Sequence, residues 1–171
     1  MTLTKEGQKA LKVADLSEFW DGQKYIKLLD PNLLACDENA DLLTQLANSD
    51  AWVDFTQGLD VRLLTENKVA LLNTIKIKCL RFAWDYMNQS KTILRGLQLY
   101  SQHGRVKNRR RRVVYVLTNF GTTMEENLYR VYMLRELNFN PYIMIYDKPN
   151  APSEVKRLQG WVNNRIIFNS C

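Results

Sequence analysis

Residues 113–147, VVYVLTNFGTTMEENLYRVYMLRELNFNPYIMIYD, read as one complete strand–helix–strand unit. Val113 to Leu117 form a near-continuous apolar run, as a strand buried on both faces requires. Thr118-Asn119-Phe120-Gly121 interrupts that run. A helix then opens on two overlapping capping boxes, Thr122–Glu125 and Thr123–Glu126, whose hydroxyls and carboxylates can satisfy the first free backbone N–H groups. Leu128, Val131, Tyr132, Leu134 and Leu137 follow on one apolar face. Asn138 and Pro141 stop the helix, and Tyr142–Tyr146 is a second apolar strand ending in Asp147-Lys148-Pro149. Two buried parallel strands joined by a helix are the basic unit of an α/β sheet or barrel.

The pattern extends in both directions. Tyr25–Leu29, Trp52–Phe55 and Lys78–Trp84 predict strands, and 38–48, 65–74 and 89–102 predict helices, the second of them capped by Thr65. Downstream, Ser153 caps a predicted helix running through Trp161, and Arg165–Phe168 predicts a last short strand. Residues 5–20 predict a short amphipathic helix presenting Leu11, Val13, Leu16, Phe19 and Trp20. Six strands alternating with five helices give an α/β fold with a parallel sheet, either open and doubly wound or curved into a partial barrel. The 171 residues, with no linker and no low-complexity stretch, suit one domain.

Hydrophobic residues at 46% and charged residues at 25% are ordinary for a soluble globular chain. No apolar run reaches the roughly 18–20 residues that cross a bilayer. The first twenty residues lack the apolar core of a secretory signal, so the expectation is a cytoplasmic protein without a membrane partner. Cys36, Cys79 and Cys171 are odd in number and far apart, which fits reduced thiols better than a disulfide framework. None has the spacing of a metal-ligand motif.

The net charge of +6 is concentrated in RVKNRRRR, residues 105–112, which holds six basic residues and no acid. Taking those six from the 24 Lys and Arg leaves 18, equal to the 18 Asp and Glu. Arg109, Arg110, Arg111 and Arg112 are therefore candidates for contacts to nucleic-acid phosphates. The same run also serves as a solvated loop before a strand, and no aromatic residue interleaves with it to stack on bases.

In parallel α/β architectures the reactive groups collect beyond the carboxyl ends of the strands. Those positions here carry Asp30 and Asn32, then Gln57, Asp60 and Arg62, then Asp85, then Thr118 and Asn119, then Asp147 and Lys148. Any one of them also serves as a cap or turn. As a set, they put donors, acceptors and a cation on one rim suited to a small zwitterionic ligand. The chain has no P-loop, G-x-G-x-x-G, H-E-x-x-H or C-x-x-C motif. His103, the single histidine, precedes Gly104 at a helix end and reads as a cap rather than a base.

Taken together, LLDPNLLAC (28–36), WVDFTQGLDVRLL (52–64), RFAWD (81–85), VYVLTNF (114–120), EENLYRVYMLRELNFNPYIMIYDKPNAP (125–152) and LQGWVNNRIIF (158–168) resemble the later strands of an uncharacterised family of radical S-adenosylmethionine proteins. The resemblance implies alternating βα units forming a partial TIM-like parallel barrel, with S-adenosylmethionine and a 4Fe–4S cluster at the strand C-termini. It places Asp30 and Asn32 by the methionyl amino group. It also implies that Gln57, Asp60 and Arg62 end the next strand, with Arg62 pairing the carboxylate, and that Asp85, Thr118 and Asn119 lie near the ribose and adenine. The chain departs from the family in having no C-x-x-x-C-x-x-C motif. It resembles the barrel's later part without the cluster-bearing first strand.

Three explanations follow from that departure: a truncated product, a half-protein completed by a partner chain, or a degenerate relative kept for binding. The expected partners are a chain that supplies the missing strand and cluster, or a second copy associating through the exposed edge at Tyr25–Leu29. The leading expectation is a radical S-adenosylmethionine-like domain that is inactive alone. The alternative is a small basic α/β protein that binds nucleic acid through residues 105–112.

Overall fold

The computed structural model describes residues 10–30 and 32–170. It is an α/β protein whose five strands form one all-parallel sheet: β1 (Tyr25–Leu28), β2 (Trp52–Phe55), β3 (Ile77–Trp84), β4 (Arg112–Thr118) and β5 (Asn140–Ile145). They lie side by side in chain order, β1-β2-β3-β4-β5, and the sheet does not close on itself. Helices α1 (Asn39–Asn48), α2 (Glu66–Thr74), α3 (Ser90–His103) and α4 (Met124–Glu136) make the crossovers. They are followed by α5 (Ser153–Asn163) and α6 (Arg165–Ser170). Right-handed crossovers between strands taken in sequence put every connecting helix on the same face of the sheet.

The burial pattern follows from that. Leu80, Phe82 and Trp84 on β3, Val114 and Val116 on β4, and Ile143 on β5 are fully buried against Leu43, Val69, Leu72, Leu97, Val131 and Leu134 of the helices. Phe82 sits at the centre, edge-on to Tyr100 and Phe139 at 5.8 and 6.0 Å. The alternate positions, Arg81 and Ala83, Tyr115 and Leu117, Tyr142 and Met144, line a cavity of about 700 Å³ on the opposite face, which Arg165 of α6 also reaches. A bulge between β2 and β3, where Val53 pairs with Ile77 but Asp54 with Cys79, lets Ile77 and Leu80 both face the helices.

α4 begins as its sequence dictates, at the Thr123–Glu126 capping box. The overlapping box is not used: the Thr122 hydroxyl donates instead to Asn127 Oδ1 at 3.0 Å. Asn138 takes the left-handed conformation (φ 61°) that ends the helix. Pro141 falls inside β5, which runs along the edge of the sheet where a missing N–H costs least.

Two expectations are corrected. Arg165–Phe168 is not a strand but part of α6, because Asn164 Oδ1 accepts from the N–H groups of Ile166 and Ile167 and opens a helical turn. Phe168 then buries fully against Trp161. Nor is the β5 edge open to it, since the Ile143 N–H donates to Asn163 Oδ1 at 2.8 Å. The Ile143 carbonyl accepts from Asn163 Nδ2 and Gln159 Nε2, both at 3.0 Å. Of the helix expected over 5–20, residues 1–9 lie outside the described residues, and within 10–20 only Leu16–Glu18 is helical, a single 3-10 turn.

Candidate functional site

The loops beyond the C-terminal ends of β2 and β3 enclose a polar cleft of about 370 Å³. Its walls carry Asn32, Gln57, Asp60, Arg62 and Asp85, five of the eight residues expected to bind a ligand, with Tyr86 and Gln89 beside them. The size lies within the usual range for small-molecule sites.

Backbone geometry brings these residues together. Gly58 turns the chain after β2 at φ 92°, a left-handed value that a side chain resists, and the Leu59 N–H then bonds the Arg81 carbonyl at 2.8 Å. Asp60 caps a 3-10 turn over Val61–Leu63 by accepting from the Arg62 N–H at 3.0 Å. Its carboxylate also takes a two-pronged contact from Arg62, Nε to Oδ1 at 2.8 Å and Nη2 to Oδ2 at 2.6 Å. This hydrogen bonding raises the Arg62 pKa further, so the guanidinium is a fixed cation. Nη1 meets no acceptor among the described residues and keeps its hydrogens for a ligand. Gly96 on α3 lets that helix approach the turn: a Cβ there would lie 2.1 Å from the Val61 carbonyl oxygen.

Asp85 supplies the negative group. Burial pushes its pKa up, opposed by the positive charges of Arg130 and Arg62. No hydrogen-bond donor reaches its carboxylate among the described residues. Asn32 Oδ1 is likewise buried at the cleft with no partner among them. A half-buried carboxylate and an orphaned amide oxygen both seek donors, as an ammonium group supplies, while Arg62 offers donors to an anion.

The other three expected residues do different work. Asp30 is exposed and forms a turn, its Oδ1 accepting from the Asn32 N–H at 2.7 Å, so it orients Asn32 from outside the cleft. Thr118 is buried and its hydroxyl donates to the Met144 carbonyl at 3.2 Å. Asn119, at φ 60°, donates to the Tyr146 carbonyl at 2.9 Å. Both knit β4 to β5.

Sequence reading missed the aromatic row that this knitting supports. Tyr86 meets Phe120 at 6.0 Å and Phe120 meets Tyr146 at 4.8 Å, each one residue beyond a polar residue at the rim or a strand end. All three are exposed, and planar groups stack on such rings. It also missed Arg130, fully buried on α4, whose Nη1 donates to the Trp84 carbonyl at 2.7 Å and the Asp85 carbonyl at 3.3 Å. An arginine set among the apolar positions of an amphipathic helix was the available signal.

The arginine run does not form one surface. Arg112 is 1% exposed, its guanidinium 4.0 Å from the centre of the Phe139 ring. Arg111 donates to the Ile77 and Lys78 carbonyls, and Arg109 lies over Phe168 at 5.9 Å. Of the four, Arg110 is exposed, Arg109 and Arg111 are half-buried, and Arg112 belongs to the core.

Cys36 and Cys79 do not meet either, and Cys171 lies outside the described residues. Cys36 lines an apolar cavity with Leu33, Leu42 and Leu46, and Cys79 lines the cavity on the opposite face of the sheet. Among the described residues no three His, Cys, Asp or Glu side chains are placed to hold a metal ion, and no helix is long and apolar enough to cross a membrane. The described residues therefore do not fit a 4Fe–4S cluster. Comparison of the chain with protein-family models, curated proteins and solved structures gave no match.

Proposed function

We propose that the polar cleft beyond β2 and β3 binds a small zwitterionic molecule bearing a planar ring, and that S-adenosylmethionine, the ligand implied by the sequence resemblance, is the first candidate. The observation that carries this reading is the unpartnered Asp85 carboxylate facing the same 370 Å³ cleft as Arg62. In this reading Asp85 and Asn32 Oδ1 take the ligand's ammonium, Arg62 Nη1 takes its carboxylate, and the ring stacks toward Tyr86. Strands in chain order with helices on one face are also the order of a (βα) barrel, and we read the sheet as part of one. The chain's role is binding and orientation; no chemical step is assigned to a cluster that its described residues do not hold.

Calorimetric titration of the full chain with S-adenosylmethionine tests this. Saturable binding that weakens about tenfold or more in Arg62→Ala and in Asp85→Ala, and little in Asp30→Ala, is expected. Absence of binding, or equal affinity in all three variants, overturns the proposal.

A further inference from the structure

At the opposite end of the sheet, below the N-terminal ends of β2 and β3, lies a small enclosed pocket of about 90 Å³. Trp52, Ile75 and Ile77 form its apolar walls, and Lys76, Arg105 and Arg111 converge on it. No carboxylate is among its lining residues. Asp50, which is not among the lining residues, pairs with Lys76, its side chain 79% exposed.

The two arginines are held in place rather than trailing in solvent. Arg111 is anchored through Nη2 to the Ile77 carbonyl and through Nε to the Lys78 carbonyl at 3.1 Å, and its guanidinium lies 5.4 Å from the centre of the Trp52 ring. Arg105 is anchored at both ends of its length: its N–H donates to Asn73 Oδ1 at 2.6 Å and its Nη1 to the Asn73 carbonyl at 3.1 Å. Among the described residues, no acceptor is taken by Nη1 of Arg111, Nε and Nη2 of Arg105, or the remaining Lys76 hydrogens. Preset donors cost little ordering entropy when a ligand arrives. The volume equals that of about three waters, which suits one tetrahedral oxyanion.

We propose that this pocket is a phosphate site, taking a phosphate group at the N-terminal rim through Lys76, Arg105 and Arg111. A phosphate presents several strong acceptor oxygens and up to two negative charges, which match three converging cationic side chains. Part of the chain's excess positive charge thereby has a definite place to act, distinct from the core role of Arg112. The inference does not depend on the ligand of the polar cleft.

The test is NMR of the arginine Nε–H resonances of the full chain, titrated at constant ionic strength with inorganic phosphate and, separately, with a 5′-phosphorylated ten-nucleotide RNA. Saturable shifts of Arg105 and Arg111 are expected, weakened about tenfold in Lys76→Gln and in Arg105→Gln. Lys76→Gln removes only one side of an exposed ion pair, so the fold persists. Saturation by inorganic phosphate assigns the site to free or small-molecule phosphate. Saturation by RNA alone assigns it to a nucleic-acid strand. No saturable shift with either probe, or unchanged affinity in both variants, overturns the proposal.

Discussion

The guanidinium of Arg130 donates from Nη1 to the carbonyl oxygen of Trp84 at 2.7 Å, fastening α4 beneath the last residue of β3. The same side chain, itself fully buried, reaches the Asp85 carbonyl at 3.3 Å and Asn127 Oδ1 at 2.5 Å. Burial lowers its pKa to about 10, with Asp85 and Glu126 acting in the other direction. Arg130→Met removes a buried donor from the Trp84 and Asp85 carbonyls and leaves Asn127 Oδ1 with the Thr122 hydroxyl alone. We expect a loss of about 2–4 kcal/mol in urea unfolding, partly recovered in Arg130→Lys, which restores a donor. A loss under about 0.5 kcal/mol for Arg130→Met contradicts this role.

Asp85 should show the opposite behaviour. Burial raises its folded-state pKa above the unfolded one, so its stability contribution is greatest when protonated and is lost as pH rises through the folded value. Asp85→Asn should therefore be the more stable protein at pH 7, by about 0.5–1 kcal/mol, while binding ligand worse. The gap should shrink as pH falls from 7 toward about 4, the ordinary aspartate range. Denaturation at both pH values measures it, and a gap independent of pH refutes the argument.

Gly96 couples the core to the cleft. With a Cβ placed 2.1 Å from the Val61 carbonyl oxygen, Gly96→Ala must push α3 away from the turn that carries Asp60 and Arg62. The expected cost is about 1–3 kcal/mol, with a change in ligand affinity larger than that of a surface glycine such as Gly160, whose added Cβ meets nothing. Thermal unfolding and titration of both variants make the comparison.

The thiols give a further check. Burial pushes the Cys79 pKa up against the pull of Arg81, and burial followed by a hydrogen bond to Glu38 pushes Cys36 up. Both should alkylate slowly in the folded protein near pH 7.5 and faster as pH climbs, read residue by residue by mass spectrometry. Anaerobic reconstitution with iron and sulfide should leave less than about one 4Fe–4S cluster per chain, since clusters are held by three or four cysteine thiolates. A stoichiometric cluster would overturn that expectation.

How far the sequence speaks depends on the distance over which each signal acts. The 113–147 unit was legible because its strand run, capping box and helix stop are local. The tight row of Asn32, Gln57, Asp60, Arg62 and Asp85 was legible because strand ends converge in any parallel sheet. Asp30 and Thr118 carry the same polar chemistry as their neighbours, and only the turn at Asn32 and the bond to Met144 separate their roles. Arg112 looks like one of four surface arginines until Phe139, 27 residues later in the chain, is folded over it. Arg165–Phe168 has the composition of a strand. Its fate was decided by Asn164 and Asn163, whose side-chain bonds no hydropathy pattern records.

Asn163 also has a consequence for how such a sheet can change. Its amide offers Ile143 one donor and one acceptor, the same pair that a neighbouring peptide group offers, so a single side chain impersonates the next strand. A sheet sealed this way has unlike edges: Asn163 occupies β5, and among the described residues no side chain does the same at β1. Asn163→Ala would free the Ile143 N–H and leave its carbonyl to Gln159 alone, half unsealing the β5 edge.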